Sequence, residues 1–270
     1  MGLSQQIAYS SLLAFFPAVA FLLGALGLFN LYDNVKTLLD PIAPSGVITF
    51  IDNLQHDSQG ATSAWAFIIG FVGAVWVASG AMGTIMKAVN RAYEVQETRP
   101  FWRSRVVAIV LVVATGLTTA GVFILIVVGG SIGDAIADKA GLGGVFQWTW
   151  AIVRWPLAFC AILLFFALVY YLGPNISQRS WKWVTPGSAL GSALWLVLSG
   201  LFALYVTFAG NYTKTYGALA SGIILLLWLN YSAWAILFGA ELNAELDRQS
   251  EIHAAGGENA GLVTPVRRAG

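Results

Sequence analysis

The side chains able to cleave a bond or hold a metal are few in this chain and lie far apart. His56 and His253 fall in different segments, and Cys160, the single cysteine, sits in an apolar run. One cysteine excludes an intramolecular disulfide and a Cys-rich metal site, and Cys160 itself reads as a small apolar filler. Acid–base or metal-assisted phosphodiester cleavage needs several carboxylates or histidines converging on a water-filled site. No HxxE, no histidine pair and no dense Asp/Glu cluster occurs. No GxxxxGK[ST] phosphate loop occurs either, so neither ATP nor any other cofactor is expected. The chain reads as a protein that is not an enzyme.

The polar residues that remain point to binding rather than bond-breaking. Residues 87–105 are the most basic stretch, with Lys87, Arg91, Arg99, Arg103 and Arg105 against two glutamates. Such a segment suits anionic lipid headgroups or phosphate, and it equally suits a plain cytoplasmic loop. Asn211, Tyr212 and Lys214 form a polar patch that either lines an outward mouth or simply connects two spans. Asn230, Tyr231 and Ser232 interrupt a long apolar run, where a polar side chain must find a partner or water. An interhelical hydrogen bond satisfies that need, and so does a substrate-facing lining. Glu241 and Glu245 are four apart and share a helix face, with Asn243 turned away. They stand at a helix C-terminus, the unfavourable end of the macrodipole for carboxylates, and therefore need cations or full solvation.

The elements that position these residues are membrane spans. The chain is 58% hydrophobic and 10% charged, with mean hydropathy +0.74, whereas soluble domains run near 25% charged. Net charge +1 gives no electrostatic case for nucleic acid as a partner. From Thr215 to Ala240 there is no charged residue, and at about 1.5 Å per residue this run exceeds the roughly 30 Å of a bilayer core. Five further runs resemble it, at residues 7–31, 63–86, 106–132, 155–172 and 186–209. The expected fold is all-α, a polytopic integral membrane protein of six transmembrane helices. Residues 1–248 form the membrane domain and 249–270 a disordered cytoplasmic tail.

Local signals refine this layout. Residues 1–32 lack Lys and Arg, so the first run reads as a retained span and not a signal peptide. Pro17 should kink or break it. After Ser45, Val47, Phe50, Ile51 and Leu54 recur at helical spacing, which suggests a short amphipathic surface helix. Gly70, Gly73, Ala74, Gly80 and Gly83 offer a small-residue packing face on the second span, and Gly187 and Gly191, extended by Ser188 and Ser192, offer one on the fifth. Thr98-Arg99-Pro100 looks like a helix start. Residues 133–154 read as a loop whose Trp148 and Trp150, with Trp155, make an interfacial belt. Gly173-Pro174 should end the fourth span. Residues 210–215 should be the tip of an antiparallel hairpin between spans five and six. Lys and Arg number ten at the termini and even-numbered loops against four in the odd-numbered loops. The positive-inside rule then places both termini in the cytoplasm.

Three stretches, AYSSLLAFFP at 8–17, NRAYEVQETRPFWRSR at 90–105 and LLLWLNYSAWAILFGAELNAELDR at 225–248, resemble the YihY/virulence factor BrkB family of bacterial inner-membrane proteins. The likeness covers nearly all of residues 7–248, and GAELNAE is its most specific part. It implies a six-helix protein of the inner membrane, in a family linked to serum resistance and to a proposed export of lipids or lipid precursors. The ribonuclease BN label that some members have carried is regarded as a misassignment. Two positions depart from the family pattern. Family members carry a longer cytoplasmic segment than the six residues ahead of Ile7, so the true start is expected upstream of Met1. Asn230 stands where the pattern implies an aromatic or aliphatic residue. By the same resemblance Arg91 and Arg99 are the best placed to pair with Glu241 and tie span six to spans two and three. The expected activity is transport of a lipid-like or amphipathic substrate, with membrane lipids as partners and anionic headgroups at 87–105. The alternative is a non-transporting scaffold in envelope assembly.

Overall fold

The computed structural model describes residues 2–28, 64–140, 143–176, 184–208 and 211–254. Among these residues every regular element is helical. In chain order they are α1 Leu3–Leu28, α2 Ala64–Ala92, α3 Phe101–Phe123, α4 Gly129–Ala140, α5 Gly143–Leu172, α6 Pro186–Phe208 and α7 Asn211–Ala254. A π-helical turn, Ile124–Val128, joins α3 to α4. The short surface helix expected after Ser45 lies outside the described residues.

Among the described residues five segments are long and apolar enough to cross a membrane: Gly70–Ala92, Phe101–Ile126, Gly143–Leu172, Pro186–Val206 and Gly222–Ser250. The apolar α1 is a further helix. Large side chains such as Phe16, Val72, Trp76, Leu117, Val197 and Phe238 are exposed along these helices, as lipid-facing residues are and water-facing ones are not.

Several boundaries differ from the sequence reading. Helix α1 passes through Pro17 without a break, because the neighbouring turns of a long apolar helix tolerate one missing hydrogen bond. Residues 133–140 and 143–154 are helical, not a loop. Lys139 falls in the last turn of α4 and Arg154 within α5, so charges that suggested a loop lie on helices. Pro156 sits inside α5, not near its start. Residues 211–215 belong to the first turns of α7, not to a hairpin tip, and α7 runs to Ala254, six residues past Arg248. Its last turns are held locally, by Arg248 donating to Glu245 at 3.0 Å and Gln249 donating to the same carboxylate at 3.0 Å.

The contacts group into two compact units. The first comprises Met1–Leu12, Ser79–Thr118 and Phe159–Gly270. Its core is built from small and aliphatic residues, with Ile7, Ala8, Val89, Ala108, Leu111, Val169, Ala233, Ala235 and Ala240 all buried. Small residues let helix backbones approach in a setting where lipid offers no hydrophobic drive. Of the expected small-residue face of α2, Ala74 is buried, and a Cβ on Gly80 would lie 3.8 Å from Arg105. Among the described residues, a Cβ at Gly70, Gly73 or Gly83 would meet nothing. Ser79, Met82, Met86 and Val89 are buried instead, since their larger side chains fill the space between helices. The second unit comprises Leu13–Ala78 and Thr119–Ala158. In it the Phe21 and Phe71 rings lie 5.0 Å apart, and the Trp150 indole donates to the Gly129 carbonyl.

Candidate functional site

Two clusters of polar side chains in the first unit sit at helix ends. Helix α6 begins with Thr185 as N-cap and Pro186 in the first position. Ser188 N donates to Thr185 Oγ1 at 3.1 Å, and Thr185 N donates back to Ser188 Oγ at 2.9 Å. This is a capping box with serine in the glutamate's place. One orphan donor of the first turn, Gly187 N, is left for a partner from another helix. Asn243 of α7 supplies it: its Oδ1 accepts from Gly187 N at 2.8 Å, and its Nδ2 donates to Thr185 Oγ1 at 2.9 Å. Asn243 is only 6% exposed. The approach is possible because a Cβ on Gly187 would collide with the Gly239 carbonyl and Asn243, and one on Gly239 with the Gly187 carbonyl and Tyr170. The anticipated Gly187/Gly191 contact is therefore present. Gly187 meets α7, while Gly191 lies against Phe166 and Tyr170 of α5.

Along the same pair, Trp195 donates to Ser232 Oγ at 3.0 Å and Trp228 donates to Ser199 Oγ at 3.1 Å. Each helix thus gives one indole and takes one, and the two rings meet edge to face at 6.0 Å. Tyr170 Oη donates to the Ile236 carbonyl at 2.9 Å, tying α5 to α7, and Trp234 Nε1 donates to Ser4 Oγ at 3.1 Å, tying α1 to α7.

A second cluster surrounds Arg99. Its guanidinium bridges both oxygens of Glu97 at 2.7 Å each. The remaining N–H groups donate to the carbonyls of Leu172 at 3.1 Å and Gly173 at 2.7 Å. These carbonyls are at the C-terminal end of α5, where a cation is favoured. Asn90, 3% exposed, donates to Glu97 Oε2 at 2.9 Å and accepts from Asn175 N at 2.7 Å. Asn175 Nδ2 reaches the Gln96 carbonyl and Thr98 Oγ1. Burial alone would raise the Glu97 carboxyl, but the hydrogen bonds and charge of Arg99, with the Asn90 amide, hold it below the usual range.

The expected tie between Glu241 and an arginine is not formed. Among the described residues Glu241 has no ion pair. Arg99 is spent on Glu97 and α5, and Arg91 lies exposed on the last turn of α2. Glu245 pairs with Arg248 on its own helix at 2.8 Å. Glu94 ends α2 at φ +53, the left-handed position of a Schellman cap, with Val95 N donating to the Asn90 carbonyl at 2.9 Å and Glu94 N to that of Arg91 at 3.1 Å.

Of the other expected residues, Asn211, Tyr212 and Lys214 fall on the first turns of α7. Tyr231 packs its ring on Trp234 at 5.4 Å and Phe202 at 6.1 Å. The Asn230 Oδ1 is enclosed and has no hydrogen-bond partner. Cys160 is exposed on α5, not packed inside. Among the described residues no group of three or more His, Cys, Asp or Glu side chains comes together. The sequence reading missed Asn90, Glu94, Asn175 and the two Trp–Ser pairs. Only the Thr185-Pro186-Gly187-Ser188 start carried a visible signal, a cap residue followed by proline.

Apolar helices of spanning length and polar side chains spent on helix ends define an integral membrane protein. The chain belongs to the virulence factor BrkB family, whose model matches residues 1–261. It is 30% identical over 250 residues to the ribonuclease-like protein YfkH of Bacillus subtilis, covering 92% of this chain and 90% of that one. It is 26% identical over 251 residues to a UPF0761 membrane protein of Alteromonas mediterranea, covering 91% and 82%. A UPF0761 membrane protein of Idiomarina loihiensis is 34% identical over 97 residues, 36% of this chain and 34% of the relative. No solved structure shows a significant match.

Proposed function

We propose that this protein carries a lipid-like, amphipathic substrate across the cytoplasmic membrane of a bacterium. The observation behind this reading is Asn230. Its carbonyl oxygen is enclosed within an apolar helix and unpaired. Buried polar atoms are normally met by protein or water. A group left open in mid-span is suited to a solvated path or a polar substrate group. The basic excess around residues 87–105 puts the Arg99 cluster and Glu241 on the cytoplasmic side, where the exposed Arg91 and Arg103 face anionic headgroups.

The rival reading is a scaffold without transport, favoured by the close seam between α6 and α7 with its reciprocal Trp–Ser bonds. Reconstitution of the full chain into liposomes with a panel of labelled lipids and small anions decides between them. Protein-dependent movement of at least one lipid supports the carrier. Leak rates equal to those of empty vesicles across the whole panel favour the scaffold. Tags after Gly270 and near Lys182 should report cytoplasm and a tag near His56 the outside. A cytoplasmic signal at His56 would overturn the orientation.

A further inference from the structure

Arg154 is the one Lys, Arg, Asp or Glu residue of α5. Nothing in the Arg99 cluster or the Asn230 reading uses it. Its neighbours suit a membrane–water interface. Trp148 is 75% exposed and Trp155 57% exposed, as indoles are at a membrane–water interface.

The arginine is not extended freely toward water. Its Cδ lies 3.8 Å from where a Cβ would sit on Gly129, and Nη1 lies 3.2 Å from that of Gly130. The side chain therefore rests on the bare backbone at the start of α4, immediately after the π-turn Ile124–Val128. Such turns often mark functional positions. Trp150, one turn before Arg154, is pinned by its bond to the Gly129 carbonyl, and Trp155 offers its ring 5.9 Å from the guanidinium carbon. Nε is enclosed and has no hydrogen-bond partner. Among the described residues no carboxylate pairs with this cation. A guanidinium has five donors in a planar fork matched to phosphate, and here the fork lies against Gly129 and Gly130 with the Trp155 ring beside it.

We propose that the notch where Arg154 lies on Gly129 and Gly130 is a binding subsite for an anionic phosphate group at a membrane–water interface. The subsite does not depend on transport, since a bound headgroup would fill it in a scaffold as well. The phosphate comes either from a lipid headgroup or from solution, and the test separates the two. Native mass spectrometry of the full chain would measure retention of dioleoylphosphatidylglycerol, dioleoylphosphatidylcholine or inorganic phosphate. Wild type should retain phosphatidylglycerol over phosphatidylcholine, and Arg154→Gln should lose that preference by about tenfold, the scale of a charge-assisted bond pair. Arg103→Gln, on the exposed start of α3, should not. If inorganic phosphate alone binds with the same Arg154 dependence and displaces the lipid, the subsite takes free phosphate. If it does not, the headgroup is the ligand. Arg154→Lys keeps charge and stem but loses the fork, so it serves if the Gln variant fails to fold, and it should weaken binding about threefold. Retention of both probes unchanged in Arg154→Gln, or in Arg154→Lys where only that variant folds, would overturn the proposal.

Discussion

Replacing Asn243 with leucine should damage this protein more than any change to the charged residues around it. The amide is buried and satisfies the orphan N–H of Gly187 at 2.8 Å and the Thr185 hydroxyl at 2.9 Å. Leucine has similar volume, so little packing is lost, but a buried N–H is left bare at a cost of about 1–3 kcal/mol, with about 1 kcal/mol more for the second bond. A total near 3 kcal/mol corresponds to a fall in melting temperature of about 5–10 °C for a chain of this size. Asn243→Asp separates hydrogen bonding from shape. The carboxylate still accepts from Gly187 N, the Thr185 hydroxyl can turn to donate, and an anion at the α6 N-terminus is favoured by the helix dipole. Its loss should be about 1 kcal/mol or less. The assay is thermal unfolding in one detergent, followed by loss of the monodisperse peak. If leucine melts within 1 °C of wild type, in error-bar terms about 0.3 kcal/mol, the cross-helix cap is not what holds α7 to α6.

Other substitutions probe the remaining contacts. Gly187→Ala and Gly239→Ala should each destabilise by about 1–3 kcal/mol through overpacking, whereas Gly70→Ala, where a Cβ meets nothing among the described residues, should be neutral or slightly stabilising in the same melt. Arg99→Gln should lower stability by about 1.5–3 kcal/mol, as expected for bonds made by a charged group, and free the end of α5 to faster hydrogen exchange. The Glu97 carboxyl is held below its ordinary value of 4.5, so its ionised form stabilises the fold above that pH. This contribution is lost as pH falls through the lower folded value. Melting temperature should therefore drop more steeply below pH 4.5 in wild type than in Glu97→Gln. Glu94→Gly should raise stability by up to about 1 kcal/mol, because glycine holds the left-handed cap without a Cβ clash; a lower melting temperature would show that the Glu94 side chain has a role the cap geometry does not reveal.

The membrane class was legible because it rests on composition and run length, which need no tertiary information. The Gly187–Ser192 seam was legible for the same reason, since small residues at helical spacing have few uses in a span other than close contact. Residues 133–140 and 143–154 are helical, and the sequence does not show it because scattered charges look alike in a helix and in a loop. A carboxylate at a helix C-terminus calls for a cation or solvation, so from sequence Glu241 reads as the partner of an arginine. Arg99 had a stronger claim on its four bonds to Glu97 and the carbonyls of α5. No local pattern announces that competition. Asn243 reads as polar and facing away from the glutamates, and only the packing of α6 beside α7 defines its partners. Asn230 was visible as an oddity in an apolar run, but that its oxygen is enclosed and unpaired is a property of the packed bundle.

Transport is the central claim, and a leaflet-accessibility measurement tests it most directly. Vesicles carrying the full chain and a head-labelled phosphatidylglycerol are exposed to an impermeant quencher, and the protected fraction is followed over time. The account predicts that wild-type vesicles lose their protected fraction, and that Asn230→Leu vesicles, with the enclosed amide removed, keep it for markedly longer. A protected fraction in wild-type vesicles as durable as in empty ones would contradict it.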